Sequence, residues 1–343
     1  MSEKRQYHGL DVTKVILAVL VSARHVIQIF YPAESKWRMV IGGWLSNLAV
    51  PGFFVMAGFL LFRKVENGRT RKDQAIIKAY CLRIAKLALI WSVLYLPIEV
   101  LNWLGKGISL KEWALYYMKN FFFSHPMPQL WFLPALLTAC LLVWLGCFAG
   151  MKIWQILTVG WLLFLIGYVG DNSYWAGRLP LKMQDILGIY SRTFITMRNG
   201  VFYGTFYVAV GLWIAKAKKQ IPFWPAVLGF LISVLAMYAE VDRFGNTNMV
   251  LTAAPAAFFM VSAALRVTWK DRKIYSRLRS MSQWIYLSHV YFIHLFSLTA
   301  KWNPIPLTKK GIMVSVFAPM VVFCAVMVWL SEHRRFSWLK KLV

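Results

Sequence analysis

Hydrophobic residues gather into ten long runs, at about 13–31, 40–62, 84–104, 129–149, 153–170, 199–215, 221–239, 249–267, 281–300 and 311–330, with short polar or basic segments between them. Each run approaches the roughly 20 residues that an α-helix needs to cross the hydrocarbon core of a bilayer. The pattern predicts an all-α polytopic membrane protein of about ten transmembrane helices, one integral-membrane domain over 1–343 with no separate soluble domain. Several runs are interrupted by glycine or proline, which neighbouring helices accommodate by re-satisfying the freed backbone groups. The first run breaks the rule differently. It carries Lys14, Arg24 and His25, with Asp11 just before it. Ionisable groups in a span are costly, and their default reading is a functional site. Eleven helical steps separate Lys14 from His25, about 20° past three turns and about 16 Å of rise, so both project from one stripe. Lys14 taken alone also fits a lysine that snorkels to the membrane surface.

Composition sharpens the class. The 343 residues are 59% apolar and 16% aromatic, with a mean hydropathy of +0.55, a profile that excludes an ordinary soluble domain. The first run is too charged for a signal peptide and no small-residue cleavage site follows it, so it is expected to stay in the mature protein. A formal net charge of +26 on a soluble chain would suggest nucleic acid. Here the charges have a topology. With the amino terminus in the cytoplasm, 23 basic residues fall in inside segments and 13 in outside segments, which puts both termini inside. Membrane lipids with anionic headgroups are then the expected partners of the surplus, without nucleic acid. Cys81, Cys140, Cys147 and Cys324 lack metal-ligand spacing and read as structural thiols, so no metal is expected. No internal repeat is visible, which weakens an analogy to transporters built from inverted halves.

Further along the chain, Arg83 and Lys86 are three apart and share a helix face where the third run begins. Two such cations make a seat for a phosphorylated ligand, or simply an ordinary positive-inside segment. Ala57 and Gly58 leave room for close helix contact. Gln129 and Trp131 open the fourth run, and Trp131 suits an interface belt. His289 and His294 in the ninth run are five apart, about 140° around a helix, so only one of them lines a narrow cavity. Asp11 and Glu99 are candidates for pairing with the cations. The segments 105–128 and 170–198 are aromatic and partly polar, which suits either a carbohydrate platform or interfacial helices that cap a bundle.

These residues resemble the integral-membrane acyltransferase 3 family, acyl-CoA-dependent O-acyltransferases of surface polysaccharides and related envelope acceptors. The likeness runs over most of the chain: Leu10, Asp11, Lys14 and His25; Phe53 to Leu60; Arg83 and Lys86; Trp131-Phe132-Leu133; Phe206 to Gly211; and Ser282 to His289. The resemblance implies that His25 is essential for transfer and that Arg83 and Lys86 contact the acyl-CoA. Lys14, Ala57 and Lys86 stand where the family often has arginine, serine and arginine, and Arg24 directly precedes the histidine. At those positions a lysine offers a point charge instead of a bidentate fork.

The expected function is transfer of an acyl group, acetyl in the first instance, from cytoplasmic acetyl-CoA or another acyl-CoA to a hydroxyl of a glycan or lipid-linked acceptor at a bacterial inner membrane. His25 would be the general base and Lys14 a catalytic neighbour. Arg83, Lys86 and Arg24 would bind the donor, with Asp11, Trp131 and His289 in support. The rival is a transporter or exporter of a small metabolite or lipid-linked sugar, for which buried charge and broken helices are also typical. Oligomerisation is compatible with either.

Overall fold

A computed structural model describes residues 6–105, 107–123, 127–245, 248–302 and 308–343. Lys4, Arg5 and Lys106, which entered the charge count, lie outside the described residues. Among those described, the secondary structure is helical throughout. In chain order the helices are α1 His8–Phe30, α2 Ala49–Phe62, α3 Arg71–Leu104, α4 Leu110–Phe123, α5 Phe132–Phe148, α6 Ile153–Asp171, α7 Ser173–Ala176, α8 Leu181–Phe194, α9 Thr205–Lys216, α10 Phe223–Phe244, α11 Ala253–Arg266, α12 Lys273–Trp302 and α13 Lys309–Glu332. Six helical segments are long and apolar enough to cross a membrane: α1, Arg38–Phe62 including α2, α3, α6, α10 and α13. Phe132–Phe148, Gly200–Lys216 and Ala253–Arg266 are shorter apolar helices. Every hydrophobic run therefore lies on a helix, and six meet the spanning criterion.

Two elements differ from the hydropathy pattern. The second run enters as a π-helical stretch, Arg38–Trp44, and a 3₁₀ turn, Leu45–Leu48, before α2. The buried pair Gly42-Gly43 sits in the π-helical turn, where backbone entropy favours irregularity. The third run begins at Arg71, well before its apolar part. The Thr70 hydroxyl caps it by accepting from the Asp73 amide at 3.0 Å, while the Asp73 carboxylate accepts from the amides of Glu66, Asn67 and Gly68 at 2.8, 3.1 and 3.0 Å. The basic loop between α2 and α3 is thus a built turn folded on one acid. The two aromatic segments, 105–128 and 170–198, contain the helices α4 and α8.

Helices α2 and α9 form the tightest pairing of the bundle, with α1 on α12, α10 on α11 and α6 on α9 around them. Gly58 and Gly211 explain it: a Cβ at Gly58 would overlap the Val208 backbone, and one at Gly211 would overlap the backbone of Val55 and Phe59. Without side chains at those positions the two backbones touch directly. Aromatic side chains fill the centre, where Phe54, Phe164, Tyr203 and Tyr207 are fully buried and their rings stack edge to face within about 6 Å.

Candidate active site

At the end of the bundle where α1 starts, the charged residues form one cluster. Arg279, at the start of α12, grips Asp11 with both arms, Nε to Oδ1 at 2.9 Å and Nη2 to Oδ2 at 2.7 Å. Lys14 Nζ lies 3.8 Å from the same carboxylate, and Arg83 is within electrostatic reach of Lys14. Arg83 Nη2 also donates to the Val343 carbonyl at 3.2 Å, and Trp91 Nε1 to the Leu342 carbonyl at 2.7 Å, so the final 3₁₀ turn, Arg334–Lys341, leads the chain back onto α3. Lys86 is exposed on the same helix. The structure brings Asp11, Lys14 and Arg83 together as a basic patch. Arg279, whose pairing crosses 268 residues, completes it, and no local sequence signal announces that. A cleft of about 320 Å³ opens beside Lys216, between Glu66, Arg69, Cys147 and Met151. It holds none of the residues singled out for chemistry.

His25 lies elsewhere. It stands about 26 Å up α1, nearer the far end of the helix than its middle, and is partly exposed. Among the described residues no hydrogen bond to its ring nitrogens is seen. Its ring faces that of His289 on α12, with centroids 5.3 Å apart and planes 30° from parallel. His289 is fully buried, and its Nδ1 contacts the carbonyls of Ile285 and Tyr286 at 3.1 and 2.8 Å. Two carbonyl partners require the proton on Nδ1 and so leave the Nε2 lone pair toward the interior; that Nε2 is buried without a partner. Of the two α12 histidines, this is the one brought to His25. His294 is partly buried and has no ring contact with His25.

Arg24 reaches the broken helix before α2, where it donates to Ser46 Oγ at 3.1 Å and Asn47 Oδ1 at 3.2 Å, and it remains within electrostatic reach of His25. The 3₁₀ turn presents both acceptors, and each is anchored by a bond to the backbone of Gly42 or Gly43. Glu99 is buried on α3 and lies near Tyr117, not beside Arg24. Trp131, immediately before α5, lies under the guanidinium of Arg198, 4.7 Å from Cζ to ring centroid. Arg198 was counted in sequence only as an outer charge, yet it is within electrostatic reach of both Arg24 and His25.

Such an arrangement, with an accessible imidazole, a second imidazole of fixed tautomer and a separate basic patch, suits base-assisted transfer from an anionic donor. The comparison with known proteins names the family. An acyltransferase-domain family matches residues 7–331, nearly the whole chain. The chain belongs to the acyltransferase 3 family. Among curated proteins, this family member is similar to an amino-acid racemase of Enterococcus faecalis, 25% identical over 97% of this chain and 47% of that protein. It is also similar to a serine/alanine racemase of Enterococcus gallinarum, 24% identical over 83% of this chain and 40% of that one. The chain thus spans about half the length of the curated relatives it matches. No solved structure matches it.

Proposed function

We propose that this acyltransferase-family chain crosses the membrane ten times, both termini in the cytoplasm, and moves an acyl group, acetyl as the first expectation, from cytoplasmic acyl-CoA to an acceptor hydroxyl of a glycan or lipid-linked envelope molecule at a bacterial inner membrane. The observation that carries the reading is His25, partly exposed in a packed helical bundle with a second imidazole 5.3 Å away, in a chain of this family. Arg83, Lys86 and Lys14 supply positive charge for the donor's phosphates. His25 takes the proton of the acceptor hydroxyl as its oxygen attacks the thioester carbonyl; the tetrahedral intermediate then expels the CoA thiolate, and the imidazolium returns the proton to it as CoASH. Arg24, held by Ser46 and Asn47, contributes a fixed positive field near the developing oxyanion.

The test is purified protein with labelled acetyl-CoA. His25→Ala is expected to lower transfer or thioester hydrolysis roughly 100-fold to 10,000-fold, the range for losing a positioned base, with donor binding little changed. A folded His25→Ala protein working at the wild-type rate overturns the reading. A second reading, a transporter or exporter of a small metabolite or lipid-linked sugar, is favoured by the buried charge of α1 and the broken helix before α2, and the relatives named amino-acid racemases suggest amino acids as the probe. Uptake of labelled amino acid into protein-containing vesicles without acyl-CoA supports it instead.

A further inference from the structure

Buried polar groups are almost always hydrogen-bonded. In this protein most of the exceptions fall in one neighbourhood. The buried atoms without partners among the described residues include both amide atoms of Gln129, Asp171 Oδ2, Asn172 Nδ2, Arg198 Nε, Tyr207 Oη and His289 Nε2. They are connected in space. Arg198 lies over Trp131 and 5.9 Å from the Tyr203 ring, Tyr203 packs on Tyr207 at 5.1 Å, and Asp171 is within electrostatic reach of Arg198. The Gln129 carbonyl accepts from Tyr286, whose ring lies 6.3 Å from that of His289. Gln129 and Asn172 are each 1% exposed and His289 is 0%, so solvent does not satisfy them.

Arg198 is the charged member of this array. No carboxylate among the described residues lies within salt-bridge distance of it; Asp171 is near but not in contact, and its own Oδ2 is unpartnered. The backbone at Arg198 belongs to a hydrogen-bonded turn, its amide donating to Thr196 Oγ1 at 3.0 Å. The Asn199 side-chain oxygen accepts from the amides of Val201 and Phe202 at 2.9 and 3.0 Å, and its Nδ2 donates to the Tyr190 hydroxyl at 2.8 Å. Ahead of that turn, Ile195 sits at φ 69°, a conformation that β-branched residues rarely adopt.

We propose that Arg198 is a substrate-reading residue that seats a carboxylate or phosphate of the acceptor beside His25, with Asp171 and Gln129 pairing to polar groups next to that anion. The substrate class is then a hydroxylated anion and not a neutral polyol. The proposal rests on the reading of the His25 region as the reaction site. A guanidinium offers an oxyanion two parallel donors, and the orphaned acceptor on Asp171 takes a hydroxyl or ammonium proton from the same ligand.

The experiment compares three probes on one three-carbon frame, glycerate, glycerol 3-phosphate and glycerol, titrated without acyl-CoA into purified full-length protein and followed by intrinsic tryptophan fluorescence, Trp131 lying against Arg198. At least one anion is expected to bind on the order of tenfold more tightly than glycerol, the size of one charge-assisted contact. Which anion binds better separates carboxylate from phosphate recognition. Arg198→Ala should abolish the preference and Arg198→Lys should keep part of it; Arg198→Gln serves where the alanine variant does not fold. The titration contains no acyl-CoA, so failure of the acyl-transfer reading leaves a distinct result, and Lys216→Ala, in the separate cleft, should keep the preference whole. Equal binding of anions and glycerol, no saturable binding of either anion, or an undiminished preference in folded Arg198→Ala and Arg198→Gln proteins overturns the proposal.

Discussion

Asp11 has to serve two cations at once. Its carboxylate is nearly fully buried, takes both arms of Arg279 and stands 3.8 Å from Lys14, so its loss leaves two positive charges facing each other. Removing one partner of a buried pair costs far more than the pair is worth. Because Arg279 is 45% exposed and water screens it, Asp11→Asn is expected to destabilise by about 1–3 kcal/mol, measured as a lowered thermal midpoint of the purified protein. Arg83 and Lys86 should behave otherwise. Neither anchors the core, so Arg83→Ala and Lys86→Ala should leave the midpoint nearly unchanged and weaken acyl-CoA binding by on the order of 1–3 kcal/mol each, read by calorimetric titration. Unchanged affinity in the double variant moves the donor site to another basic surface. At this scale the sequence was readable where chemistry violated the bilayer: Lys14, Arg24 and His25 stood out because apolar neighbours surround them. Arg279 and Arg198 did not stand out, since both fall in segments where a basic residue is ordinary, and their importance comes from partners far away in the chain.

Among the elements, the turn that follows α8 stores strain. Ile195 pays for its left-handed backbone without a side-chain contact that demands isoleucine, being 37% exposed. Ile195→Gly is expected to raise stability by on the order of 1 kcal/mol, strain relief offset by the entropy of glycine, seen as a higher thermal midpoint. A fall would mean that the apolar side chain, not the turn, holds Arg198 in place. Helical runs were visible from hydropathy because burial in lipid imposes length and polarity. Their breaks were harder to read. The π and 3₁₀ turns of residues 38–48 lie within one continuous apolar run, and only the arrival of Arg24 on Ser46 and Asn47 gives the irregular backbone its use. The choice of His289 over His294 came from the resemblance, because periodicity alone said that one faces inward without saying which; the docking of α12 on α1 puts the His289 ring 5.3 Å from that of His25.

For the whole molecule, the charge distribution sets an orientation that can be checked. A reporter fused after Val343 should register a cytoplasmic carboxyl terminus, as the excess of inside basic residues requires; an external signal removes the ten-crossing topology and the cytoplasmic placing of Arg83. The interior helices carry a different consequence. Helix α11, of 14 residues, and the apolar helix Gly200–Lys216 that ends in α9 rise about 21 and 25 Å and pack against α10 and α2 within the bundle, whereas a bilayer's hydrocarbon is about 30 Å thick. Backbone beyond their ends is sheltered by protein: Leu251 and Thr252 donate their amides to the Glu240 carboxylate of α10 at 2.7 and 2.8 Å. In such a bilayer the insulating layer at these short helices would be thinner than the hydrocarbon around them. A transmembrane voltage falls across that shorter path, and any charged group carried through it moves in a steeper field, at about 2.3 kcal/mol per unit charge for each 100 mV crossed. Turnover of a charged acceptor that crosses this path would then rise or fall with membrane potential, while that of a neutral one would not.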